Sequence, residues 1–75
     1  MKSRIDQFVI NRVREIRLKK GVSQDELADG LKMSTGFLGK VESPKYPSHY
    51  NLKHLNKIAR ILECSPQEFL PPKAI

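Results

Sequence analysis

The chain has 75 residues, with 14 Lys and Arg against 8 Asp and Glu for a net charge of +6. That length fits a single domain over 1–75, and the excess of positive charge favours acidic partners. An apolar share of 39% is too high for a disordered tail, no apolar run exceeds Phe8-Val9-Ile10, and Cys64 is the sole cysteine, which excludes membrane spans, disulfide scaffolds and cysteine-based zinc sites.

Met1 to Asp6 carry charge without a following apolar stretch or a cleavage site, so no secretory signal is expected. A reducing cytoplasm is the expected setting. The charge is unevenly placed: residues 1–20 carry a net +5, residues 21–31 a net −3, residues 32–57 a net +4, and the remainder balances. Two basic blocks thus flank one acidic segment.

Ile5, Val9, Val13 and Ile16 recur at steps of three and four and predict a first helix from Ile5 to about Lys20. Lys19 and Lys20 suit its carbonyl end, and Gly21 supplies the stop. Ser23-Gln24-Asp25-Glu26 reads as a capping box opening a second helix, with Leu27, Ala28 and Leu31 on its buried side. Ser34 caps a third helix to about Glu42, with Phe37, Leu38 and Val41 turned inward. Two short helices so joined are a helix-turn-helix signature at about 23–42. Gly36 and Gly39 each cost that third helix about 1 kcal/mol relative to Ala, so tertiary packing must hold it.

Residues 43–50 form a loop around Pro44 and Pro47. Asn51 caps a fourth helix with the stripe Leu52, Leu55, Ile58, Ala59 and Leu62. Ser65-Pro66-Gln67-Glu68 is a further capping box, predicting a fifth helix through Phe69 and Leu70 that Pro71-Pro72 ends. The expected fold is all-α with five helices and no strand.

Taken in order, Arg12-Val13-Arg14-Glu15-Ile16-Arg17, Gly21-Val22-Ser23-Gln24-Asp25-Glu26-Leu27-Ala28, Met33-Ser34, Leu38-Gly39-Lys40-Val41-Glu42 and the stretch from Leu55 to Ser65 resemble the phage-repressor/Cro-type helix-turn-helix family, also called the xenobiotic-response-element family. The resemblance covers roughly residues 10–70. It implies a compact lambda-repressor-like DNA-binding domain whose third helix enters the major groove N-terminal residues first.

Position by position, the resemblance implies base contacts from Ser34, Thr35, Gly36 and Lys40. Thr35 can exchange hydrogen bonds or pack its methyl on thymine, and Lys40 can donate to guanine. Gly36 replaces a polar reader common in relatives, which shifts weight to phosphate contacts and DNA shape. Phosphates fall to Ser23 and Gln24 at the start of the second helix. Lys45, Tyr46, Ser48, Tyr50, Asn51 and Lys53 supply a second phosphate clamp. Arg17 and Glu42 occupy the positions of a partly buried ion pair in relatives. Lys32 stands where relatives often carry glycine at positive φ. Cys64 replaces a small apolar residue and is expected to be buried and inert.

Phe37, Leu38, Val41 and Leu55 are expected in the core. His49 and His54 lack companions at ligand spacing, so no metal site and no cofactor are expected. No nucleophile–base pair or phosphate loop is present, and an enzyme is not expected. The function expected is sequence-specific binding of double-stranded DNA by a transcriptional regulator, a repressor acting as a homodimer on an inverted repeat with half-sites about 34 Å apart. The alternative is an antitoxin or adaptor with a toxin or other regulator as its partner. Ile61, Phe69, Leu70 and Ile75 then form either the partner surface or part of the core.

Overall fold

The computed structural model describes residues 1–75 as four α-helices and one 3-10 turn: α1 Arg4–Lys19, α2 Gln24–Leu31, α3 Thr35–Glu42, α4 Leu52–Leu62 and the 3-10 turn Pro66–Phe69. Every element is helical, as the sequence predicts, but the fifth predicted helix is not an α-helix. Pro71 disfavours the helical region for the residue before it, and Leu70 is extended at φ −100, ψ 150. Only four residues remain between the Ser65 cap and Leu70, which is room for one turn. That turn suffices, because it buries Phe69 completely.

Local hydrogen bonds fix each start. Ser23 Oγ accepts from the Glu26 N–H at 3.1 Å while Glu26 accepts from the Ser23 N–H at 3.0 Å. Ser34 Oγ accepts from the Phe37 N–H at 3.1 Å. α1 has a box of its own, between Ser3 and Asp6. At Asn51 the box is completed by a histidine: His54 Nδ1 accepts from the Asn51 N–H at 3.1 Å.

Three helices end through a residue in the left-handed region. Gly21 (φ 72) follows α1, and the Val22 N–H donates back to the Arg17 carbonyl at 3.0 Å. Lys32 (φ 57) and Glu63 (φ 55) play the same part after α2 and α4. The left-handed lysine was expected; the glutamate was not.

α1 packs against α3, α4 and the 3-10 turn, while α2 packs on α3 and α4. Val9, Val13 and Ile16 are buried as their spacing predicts, joined by Ile10 and by Leu27, Leu38, Val41, Leu55, Ile58 and Leu62. Two stripe residues fall outside the core: Ile5 and Leu52 are exposed, each within the first turn of its helix and beyond the neighbouring helices' cover. Phe37 is half-buried against the core rather than within it. Gly30 lies beneath Ile61, whose Cδ1 sits 2.8 Å from where a β-carbon would stand. No helix is long and apolar enough to cross a membrane.

Candidate nucleic-acid interface

α3 has a fixed back and an open front. Leu38 and Val41 are fully buried and anchor it. On the other side Thr35, Gly36 and Lys40 are exposed, and Gly39 has nothing within 4 Å of its missing side chain. Ser34 is exposed as well, but its hydroxyl oxygen is engaged in the cap. The Thr35 hydroxyl donates to Asp25 Oδ1 at 3.0 Å. Lys40 Nζ lies 5.6 Å from the centroid of the Tyr46 ring, within cation–π range.

The residues assigned to phosphate part company. Ser23 is exposed and capped onto α2, and the N–H groups of Gln24 and Asp25 ahead of that cap have no helical partner. The Gln24 side chain instead turns inward, Nε2 donating to Glu42 Oε1 at 2.8 Å. Lys45, Tyr46, Asn51 and Lys53 are exposed, and Ser48 is half-buried.

Tyr50 departs from expectation. Its ring is only 6% exposed and belongs to the core, and its hydroxyl has neither accessible surface nor a partner. Burial, reinforced by the Glu42 carboxylate, holds the phenol well above the usual tyrosine range. Tyr50 is therefore a neutral core residue and no part of a surface clamp. A loop has no periodicity from which its direction could be read.

Behind α3 lies a buried polar cluster. Arg17 Nη2 donates to Glu42 Oε1 at 3.2 Å, with the two side chains 6% and 7% exposed. Arg17 Nη1 donates to the Val22 carbonyl at 2.9 Å. One carboxylate oxygen thus gathers Arg17 from α1 and Gln24 from α2 onto the last residue of α3. Sequence reasoning missed the Gln24 arm, the Asp25–Thr35 bond and a lysine, Lys2, that reaches the far end of α3. All three join residues distant in the chain.

His54 lies beside this region, its ring 5.6 Å from Phe37 and 6.3 Å from Tyr50. Burial, then Lys57 and His49, lower its pKa below the ordinary histidine value. That favours the neutral ring the cap requires. Cys64 is half-buried rather than buried, and its thiol pKa is raised, first by burial and then by Glu68.

The architecture is a helix-turn-helix whose second helix is sparsely furnished, with Lys40 as its one exposed cation. A family model described as helix-turn-helix matches residues 13–69. The chain belongs to this Cro/xenobiotic-response-element-type helix-turn-helix family of DNA-binding transcription regulators. It is similar to the crystal structure of the restriction–modification controller protein C.AhdI from Aeromonas hydrophila, at 30% identity and a TM-score of 0.71 over 85% of this chain and 94% of that one. A mutant of the restriction–modification controller protein C.Esp1396I is 29% identical, with a TM-score of 0.76 over 92% of this chain and 85% of that one. SinR, a master regulator of biofilm formation solved in complex with DNA, shares the fold at 23% identity and a TM-score of 0.68, over 81% and 95% of the two chains. No curated protein matches the chain at significant sequence similarity.

Proposed function

We propose that the protein binds a defined sequence in double-stranded DNA as a symmetric dimer and represses transcription there, with α3 in the major groove. The observation that carries this reading is the open front of α3: Thr35, Gly36, Gly39 and Lys40 serve no part of the core that Leu38 and Val41 anchor. In this reading Ser34, Thr35, Gly36 and Lys40 meet base edges. Ser23, the backbone at Gln24, Lys45, Tyr46, Ser48, Asn51 and Lys53 hold phosphates.

The likeness to two restriction–modification controller proteins supports a regulatory role. Ile5, Leu52 and Leu70 are exposed and line one groove between α1 and α4, which supports a second copy covering that side. The single domain over 1–75 is part of the same proposal.

The deciding experiment is selection from a random duplex library at near-physiological salt. Enrichment of an inverted repeat with half-site centres about one helical turn apart supports a dimeric reader. Retention without an enriched motif replaces it with a phosphate-dominated binder. No retention turns the search to a protein partner such as a toxin. Salt separates the roles further, since log affinity falls with log salt at about −0.9 per phosphate neutralised. Lys45→Ala flattens that slope for every sequence, whereas Lys40→Ala changes which sequence is preferred.

A further inference from the structure

The residues ahead of α1 reach the far end of α3. Lys2 Nζ donates to the Lys40 carbonyl at 3.2 Å and to the Ser43 carbonyl as well. Lys40 lies in the last turn of α3, and Ser43 is the residue that ends it.

That helix end needs outside help. α1, α2 and α4 each close through a left-handed residue that folds N–H groups back onto their last carbonyls. α3 does not: Ser43 is extended, at φ −90, ψ 134, and contributes one N–H, to the Lys40 carbonyl at 3.3 Å. The last four carbonyls of a helix lack partners within it and carry the negative end of its dipole. The basic residue of that last turn, Lys40, cannot serve, because its ammonium lies over the Tyr46 ring. Two glycines within eight residues weaken the helix further.

We propose that Lys2 is a positioning residue for DNA recognition: its ammonium closes the last turn of α3 and so fixes the backbone from which Lys40 projects. This rests on the assignment of Lys40 to base contact. Lys2 then acts through α3 rather than on DNA, and the segment before α1 becomes part of the reading apparatus. With its backbone carbonyl bound by Lys2 and its ammonium over the Tyr46 ring, Lys40 meets the groove in one arrangement.

The test compares wild type, Lys2→Met and Lys2→Arg by amide hydrogen exchange on the free protein and by titration with two duplexes. One duplex is that enriched by wild type from a random library, and the other is a scrambled duplex of equal length. A charge at a helix end supports opening equilibria that shift by about two- to fivefold on its removal. Lys2→Met is expected to speed exchange at Val41, Glu42 and Ser43 by that factor. It should lower the ratio of enriched to scrambled affinity similarly, with the salt slope unchanged and Lys2→Arg restoring both. Unchanged exchange overturns the cap. Faster exchange with an unchanged affinity ratio overturns the link to recognition. Equal loss on both duplexes, with the salt slope reduced by about one, makes Lys2 a phosphate contact instead. A wild-type chain that prefers no sequence overturns the assignment of Lys40 itself, a result the exchange data cannot mimic.

Discussion

The Thr35 hydroxyl donates to the Asp25 carboxylate at 3.0 Å, tying the first turn of α3 to the first turn of α2. The bond orients Thr35 and spends its proton inside the protein. It also sets a negative charge beside the face proposed to meet a polyanion. Discrimination gains from such a charge, since it weakens every complex that lacks compensating base contacts.

Asp25→Asn keeps an acceptor for Thr35 and removes the charge. Affinity for a scrambled duplex should rise about fivefold at physiological salt, the effect of roughly one phosphate contact. Fluorescence anisotropy measures it, and an unchanged value would place Asp25 away from the backbone.

Glu42→Ala should destabilise the fold by about 3 kcal/mol or more, because it leaves the buried Arg17 guanidinium without its counter-ion and frees the Gln24 amide. Glu42→Gln, which retains an acceptor, should lose less. Urea unfolding decides, and a wild-type midpoint for the alanine variant would remove the cluster's role in holding α3.

Gly39→Ala separates stability from binding. With nothing within 4 Å of the added carbon, the substitution should raise unfolding free energy by about 1 kcal/mol through helix propensity. Binding to the enriched duplex should weaken, because a methyl now stands between α3 and the groove. A stabilised variant with full affinity would show that this face does not press on DNA.

Lys32→Gly should relieve about 1 kcal/mol of left-handed strain and raise the melting temperature, and Glu63→Gly should do the same after α4. Thermal melts of the two single variants and their combination should add, since the two caps end different helices.

Stability should fall on mild acidification through His54. Its folded pKa lies below the ordinary 6.5, so the unfolded chain takes up the proton first. The contribution is whole above 6.5 and is lost as pH falls below 6.5 and through the folded value. Protonation also removes the Nδ1 lone pair that accepts from the Asn51 N–H. Urea midpoints at about pH 7.5 and about pH 5 should differ for wild type and converge for His54→Gln. Equal slopes in the two proteins would assign the effect elsewhere.

What could be read from the sequence followed the range of the interaction. The caps at Ser23, Ser34, Asn51 and Ser65 join residues two or three apart, so their pattern is contiguous in the chain. The Ser3–Asp6 box escaped because it closes with aspartate rather than Glu or Gln, and the Asn51 box because it closes with histidine. The fifth helix failed on a neighbour effect, Pro71 acting on Leu70. Periodicity placed Val9, Val13 and Ile58 correctly but mistook Leu52 for core, since a stripe does not reveal where its cover ends. Gln24 turning onto Glu42, and Tyr50 turning inward, depend on partners 18 residues away or on loop geometry, and no local pattern encodes them.

Gly30 and Gly39 differ in what an added side chain would meet. A β-carbon at Gly30 would meet the end of the Ile61 side chain at 2.8 Å, so a larger residue there requires Ile61 to turn aside. A side chain at Gly39 would meet only open space. New residues at Gly36 and Gly39 therefore leave the scaffold intact, so on the proposed reading the face toward DNA can change at these two positions while the core behind it stays fixed.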